Sequence, residues 1–289
     1  MTDSFNIKRL KVVLRLADDS NLVFEGTGDN TLIVTDLRMR AQVNANARQA
    51  VQMVLEIWGM RTVDMDALTT AWQDSEAIRD NIVQLYADIG TGYKPVFSGT
   101  ITEAQPNYQK APDVSFQILA TVPYFKMIDI GESSSYQGSL DINDFGQSVA
   151  DSLGMSFSSS AQATLTDQYL SGSIFDQLRD ACSAAHVDFY FQGDTLVFAP
   201  LQKPLSDSPV VVLTPTTGLV GYPIFTRFGT VVTALYDPVF QCGSAIEIED
   251  SAVKGVNGRW YPFSADYDLS ANLPGGPWFA VLQCNKVGV

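Results

Sequence analysis

The chain has 289 residues, 46% hydrophobic and 17% charged, enough for one large or two ordinary domains and too apolar for a disordered chain. Its 18 basic and 32 acidic side chains give a net charge of −14, which favours solubility and excludes a grip on nucleic acid built from phosphate neutralisation. No apolar run approaches the ~18 residues of a membrane span, and Lys8, Arg9, Lys11 and Arg15 stand where a signal peptide would be apolar.

Residues 8–17 alternate, with Leu10, Val12, Leu14 and Leu16 against Arg9, Lys11, Val13 and Arg15, which predicts a half-buried strand. Asn21–Glu25 continues it past the turn Asp18-Asp19-Ser20, and Gly26–Asn30 turns again. From Thr31 one long strand follows, with Leu37, Met39, Ala41 and Val43 alternating against Asp36, Arg38, Arg40 and Gln42. Val51, Met53, Leu55 and Ile57 repeat the pattern as far as Gly59. The period then lengthens and predicts a helix over 64–89, capped by Asp64 or Asp66. Its apolar side is Leu68, Ala71, Trp72, Ile78, Ile82, Leu85, Tyr86 and Ile89, and Gly90 sits at its C-cap. Val96–Ala104 and Val114–Val122 read as strands around the loop Gln105–Asp113.

Residues 138–200 read as a small α/β insert. Ile142, Phe145, Val149 and Leu153 share one helical face that ends at Gly154, and Ile174, Phe175, Leu178 and Cys182 share another. Val187–Gln192 and Thr195–Ala199 make a hairpin around Gly193-Asp194. The insert is acidic, with Asp141, Asp144, Asp151, Asp167, Asp176, Asp180, Asp188 and Asp194 balanced only by Arg179 and the nearby Lys203. Residues 201–209, holding Pro204 and Pro209, read as a linker. Strands return at Val210–Leu213, Phe228–Leu235, Ala245–Glu249, Trp260–Tyr267 and Trp278–Asn285, with breaks at Gly218, Gly221, Pro223 and Pro238. The predicted division is therefore 1–137, 138–200, a linker at 201–209, and 210–289. The class is mainly β (α+β): two barrel or sandwich domains, a flanking helix and the insert.

No set of residues rises to an active site. Gly146-Gln147-Ser148-Val149-Ala150 lies one residue from a nucleophile elbow and, with Asp176 or Asp180 and His186, gives the order Ser, Asp, His. An elbow needs a strand before the serine, whereas Asp141–Gly146 reads as a helix start, so Ser148 is a solvent-facing helix residue and His186 a helix-end residue. Asp141-x-Asn143-x-Phe145-Gly146 opens like a calcium loop but closes on Ser152, and Asp266-x-Asp268-x-Ser270 lacks the glycine and the glutamate. Each reads as a helix cap or a solvated turn. Gly26-Thr27-Gly28 and Pro274-Gly275-Gly276-Pro277 are turns and not phosphate cradles. The lone histidine removes most His-based metal sites. Cys182, Cys242 and Cys284, at least 42 positions apart, form no close-spaced metal pair and suit a reducing compartment.

The stretch 215–251 carries a pattern of Gly218, Leu219, Gly221, Tyr222, Pro223, Gly229, Leu235, Pro238, Gly243 and Ile246 that resembles phage baseplate hub proteins. Gly154 and Ser171-Gly172-Ser173 in the insert agree with that layout, as do Asn257-Gly258-Arg259-Trp260 and Pro274-Gly275-Gly276-Pro277-Trp278, so the resemblance spans about residues 90–289. Where many relatives hold a histidine, this chain holds Asp266-Tyr267-Asp268. The resemblance implies a homotrimer in the tail baseplate of the virion, assembled in the host cytoplasm. Each subunit would supply two tail-tube-like β domains to a pseudo-sixfold ring that adapts the hexameric tail tube to the trimeric spike or tip. Implied partners are the tube protein, the spike or tip protein and other baseplate or wedge proteins, with genomic DNA passing an acidic lumen without specific binding. No cofactor, metal, catalytic role or membrane insertion is implied. The rival readings are a hub-associated cell-wall hydrolase using Ser148 or a carboxylate pair, and a glycan-binding module stacking sugars on Trp260, Tyr261 and Trp278.

Overall fold

A computed structural model describes residues 8–17, 23–25, 27–70, 81–122, 133–205, 210–227 and 229–287. Alternation builds its first strand, β1 (Arg9–Arg15), which buries Leu10, Val12 and Leu14. The strand expected to run on from Thr31 is two, β2 (Thr31–Thr35) and β3 (Arg38–Asn46), because Asp36 takes a left-handed φ of 60° and turns the chain between them. β4 (Val51–Trp58) follows.

The helix expected over 64–89 is not formed. α1 covers only Thr62–Leu68, and Ile82–Asp88 is strand β5, paired with β1 on one side and with β6 (Tyr93–Asn107) on the other. Residues 71–80, which hold Ala71, Trp72 and Ile78 of the expected apolar side, lie outside the described residues. Ile82, Leu85, Tyr86 and Ile89 have helical spacing, yet Val83, Leu85 and Ala87 alternate as well, and pairing on both edges selects the period of two. Gly90, instead of capping a helix, turns β5 into β6 while Asp88 Oδ1 accepts the N–H groups of Gly90 and Gly92 at 2.7 and 2.9 Å. β7 (Ser115–Val122) completes this half.

The insert comprises β8 (Ser134–Asp141), α2 (Ile142–Leu153), β9 (Ser156–Ser159), β10 (Thr164–Leu170), α3 (Ile174–Ala184), β11 (Val187–Gln192) and β12 (Thr195–Pro200). Gly154 ends α2 in the left-handed region, and Ser173 with Asp176 closes a capping box at the start of α3. Its ties to the sheet run through the turn after β3. Arg48 donates its backbone N–H to Phe189 O at 2.9 Å, its Nε to Asp188 at 2.8 Å and its terminal nitrogen to Val187 O at 3.0 Å.

The last part holds β13 (Val211–Leu213), β14 (Leu219–Thr226), β15 (Gly229–Leu235), β16 (Ile246–Ile248), β17 (Gly258–Ala271) and β18 (Trp278–Lys286). β14 runs through the break expected at Gly221 and Pro223. The two breakers produce a register shift between Val220 and Ile224, which is tolerated because β14 is an edge strand that has no partner on its other side among the described residues.

One sheet of thirteen strands spans both strand-rich parts, in the order β14-β15-β18-β17-β3-β4-β7-β6-β5-β1-β2, with β16 beside β17 and β13 beside β16. Its path ends at β14 and β2, so among the described residues it does not close as a barrel. Within this path a unit recurs. The hairpin β3-β4 lies beside the hairpin β6-β7 through β4 and β7; the hairpin β14-β15 lies beside β17-β18 through β15 and β18. In chain order β3, β4, β5, β6 and β7 correspond to β14, β15, β16, β17 and β18, since β5 pairs with the start of β6 as β16 pairs with the start of β17. Even the irregularity repeats: the β6–β7 ladder shifts between Ile101 and Glu103, and the β17–β18 ladder between Pro262 and Ser264. With the bulges aligned, Met53, Leu55 and Ile57 take the places of Thr230, Val232 and Ala234, and Ala120, Ile118 and Ala104 those of Cys284, Leu282 and Ala265, all of them buried. The two units join head to tail through eight antiparallel pairs between β17 and β3, from Ser264 opposite Asn46 to Ala271 opposite Met39.

All three cysteines are buried in this core as free thiols. Burial pushes the thiols of Cys182 and Cys242 from 9.0 up to about 12, and that of Cys284 higher still. A thiol-specific reagent at neutral pH will therefore label none of them until denaturant is added. The same burial fixes a pH trend. With folded values raised, the unfolded chain loses thiol protons first, so stability is full below about 9 and falls as pH climbs toward 12. Buried Tyr236 and Tyr267 act in the same direction. Melting temperature measured at pH about 8 and about 10 checks this; a rise across that interval would contradict it.

Candidate functional site

Strand alternation leaves one face of the repeated sheet turned away from the core. Directly opposed residues share a face, which places Thr233, Val281, Asp266, Asn44, Gln52 and Thr121 in one row across six strands. A second row is Leu235, Phe279, Asp268, Gln42, Val54, Leu119 and Glu103; a third is Ser270, Arg40, Glu56, Gln117 and Gln105. Most of these side chains are polar.

The arginines of β3 on this face are matched within the chain. Arg40 binds Asp268 through two bonds of 3.0 and 2.8 Å across the β3–β17 joint, and this partner raises the arginine above its ordinary value. Asn44 donates to Asp266 at 3.0 Å across the same joint, and Gln117 to Glu56 at 2.6 Å. Arg38 pairs with Asp113 and lies 4.4 Å over the Trp58 ring. With Arg38 and Arg40 so engaged, Glu56, Glu103 and Asp266 leave this stretch of the face acidic, while the first row runs on from Thr121 through Thr100 and Ile82 to Arg15 on β1.

The edges of the sheet carry a different chemistry. β14 presents Tyr222, Ile224 and Phe225, which are 74%, 65% and 55% exposed, and Leu235 on the neighbouring β15 is 46% exposed. An unpaired edge with large apolar side chains is a template for another strand.

The sequence-predicted residues fall into three groups. Gly218 (φ 119°) and Leu219, which is buried, start β14, and Gly221 and Pro223 lie at its register shift beside exposed Tyr222. Gly243 donates its N–H to Pro262 O at 2.8 Å where a Cβ would meet the Tyr190 ring at 3.1 Å. Pro238 follows Leu235 in the turn leaving β15, and Gly275 and Gly276 form the β17–β18 turn, where Ser270 donates to Pro277 O at 2.8 Å. They are scaffold, and they converge on no cleft.

Neither rival site is assembled. Ser148 is exposed in the middle of α2, and Asp176 is engaged by Ser173 and Arg179. His186 lies just past α3 with φ 54°, its N–H donating to Ser183 O. Trp260, Tyr261 and Trp278 are 3%, 1% and 2% exposed, so they offer no platform to a sugar. Trp260 donates to Val256 O at 2.6 Å, and Trp278 packs edge-on against Tyr236. Asp266 and Asp268, expected in a solvated turn, lie inside β17 because both face polar partners on β3. Asp141 does cap a helix, accepting from Asn143 N–H at 2.8 Å. Among the described residues no three His, Cys, Asp or Glu side chains converge, and no helix is long and apolar enough to cross a membrane.

The sequence profile of the family described as Baseplate hub gp41 matches residues 9–277. No curated protein sequence matches the chain. Among solved structures, the fold is similar to a tail protein from Neisseria meningitidis MC58 at a TM-score of 0.66, with 11% identity over 97% of both chains. It is similar to the 43 kDa tail protein of prophage MuSo2 from Shewanella oneidensis at 0.61, with 12% identity over 96% of both chains. A third is the E. coli c3393 protein, at a TM-score of 0.61 and 7% identity over 87% of this chain and 74% of that one. That protein is a component of the type VI secretion system with structural similarity to T4 bacteriophage tail proteins gp27 and gp5.

Proposed function

This chain belongs to the baseplate hub gp41 family, a structural part of the phage tail, and on that premise we propose that three copies close into a ring of six similar units. The observation that carries the reading is the head-to-tail recurrence of one five-strand topology within a single polypeptide. A symmetry adaptor has to present similar surfaces six times and distinct surfaces three times. Two recurrent units per chain supply the first requirement, and the single insert per chain supplies the second. The units form the cores of two tube-like domains, 1–137 and 210–289, with 138–200 as the insert and 201–209 as the linker between them.

In this reading the polar face of the sheet lines the channel. On β3, β4 and β7 the arginines that face DNA are already held by Asp113 and Asp268 and the other charge, Glu56, is acidic, so this stretch of the wall offers phosphate no unpaired arginine. The ring meets the hexameric tube on one side and the trimeric spike or tip on the other. The likeness to an E. coli protein that is itself structurally similar to tail proteins gp27 and gp5 supports a place among tail proteins. The chain acts as structure and not as an enzyme.

Sedimentation of the purified chain with and without the tail tube protein of its own virion tests this. The expected result is a species of three times 31.5 kDa that co-sediments with tube protein. A chain that stays at 31.5 kDa and never joins the tube would overturn the reading.

A further inference from the structure

We propose that copies are linked by a second use of the β17–β3 joint, with the β14 edge of one copy laid against the end of β6 of the next. The inference rests on the ring reading and adds the strands and their register. β17 is a two-part strand: its start pairs with β16, and its continuation from Ser264 pairs with β3. β6 is built the same way, with Tyr93–Thr100 on β5, but no strand of the described residues continues along that edge past Thr100. The strand equivalent to β3 is β14, which ends the sheet at its opposite side. Among the described residues each copy therefore has, at either end, one half of a joint that no strand fills, and a joint of two unlike halves adds copies head to tail until rotation closes the ring.

The register follows from the repeat. Aligning the two bulges puts Asn107 in the place of Asp268, and the paired ladders put Ile224 in the place of Gln42, which faces Asp268 inside the chain. Asn107 of one copy is then opposite Ile224 of the next, with Pro106 opposite Phe225. The new joint is shorter than the internal one. Ile101 already donates its N–H to Asn81 O at 2.8 Å, and Thr70 takes the edge groups of Ala104, donating its N–H to the carbonyl and accepting from the amide through its hydroxyl, both at 3.0 Å, so the joint is confined to the strand past Ala104. Pro106 has no N–H to give. Where the internal joint is clasped by Arg40–Asp268, the external one must rely on apolar contact, and Tyr222, Ile224 and Phe225 are the side chains β14 exposes.

Paired cysteines test the register without interference, because the three native thiols are buried. An Asn107→Cys, Ile224→Cys chain under mild oxidation should form reducible species of two and three times 31.5 kDa. The control Asn107→Cys, Ile33→Cys places the second thiol on the exposed residue of the other sheet end, β2, and should remain uncrosslinked. Ile224→Lys alone should lower the solution mass to one chain. Trimers that form but crosslink only through Ile33→Cys, or not at all, overturn the joint and leave the ring reading standing. A wild-type chain that is monomeric at every concentration overturns both.

Discussion

A Gly229→Ala variant will lose more than about 4 kcal/mol of stability, far beyond the usual surface substitution. Gly229 opens β15 with φ 137°, a region essentially closed to residues with a side chain, and a Cβ built there would lie 2.0 Å from the carbonyl oxygen of Cys284. That oxygen is backbone in β18, so the contact is relieved only by prising β15 from β18, which opens a buried ladder. Gly221→Ala is the matched control. It too has a left-handed backbone, φ 67°, but no atom stands within 4 Å of the added carbon, so its cost is the conformational ~1–2 kcal/mol alone. Urea unfolding of the two variants separates them; equal losses would show that the β15–β18 approach is not as close as described.

The second large effect concerns the insert. Asp188→Ala should cost about 3–5 kcal/mol, because it strands the Arg48 guanidinium in a half-buried position. Asp188 is 8% exposed and accepts from Arg48 Nε at 2.8 Å and from the backbone of Gln202 at 3.1 Å, so its loss leaves two donors unpaired. Arg48 itself sits at φ 58° in the turn between β3 and β4, held there by its bond to Phe189 O. A double-mutant cycle with Arg48→Ala reads the coupling directly, and the double variant should lose clearly less than the two single losses combined. Strict additivity would mean that the pair does not dock the insert on the sheet.

Strands with one buried face were legible in the sequence, because Leu10 to Leu16 and Val51 to Ile57 alternate without interruption. The helix boundaries of the insert were legible for a local reason, since Gly154 and the Ser173–Asp176 box are capping devices written in consecutive residues. Segment 82–88 was not, because Leu85 satisfies a period of two and a helical period alike, and the arbiter is pairing with a strand some seventy positions earlier. β8, β9 and β10 are rich in Ser and Thr and carry no apolar alternation, so nothing local announces them. β14 was misread because Gly221 and Pro223 signal a break, whereas an edge strand absorbs them as a shift in register.

The candidate site was legible in part. The polar sides of the strands could be named, but Arg40 and Asp268 are 228 positions apart and Arg38 and Asp113 are 75 apart, so only the sheet order reveals that the arginines are spoken for. The repeat left no trace in residue identity, since Met53 answers to Thr230 and Ala120 to Cys284. It is conserved in topology, in burial and in the place of a bulge, which are properties of the fold and not of side-chain chemistry.

Electron-microscopic averages of the purified chain, viewed along the particle axis, put the whole account to its hardest trial. Six similar lobes around a hole, repeating as three pairs, are what two recurrent units per polypeptide require. Particles of one or two lobes, or a two-fold dimer, would contradict it.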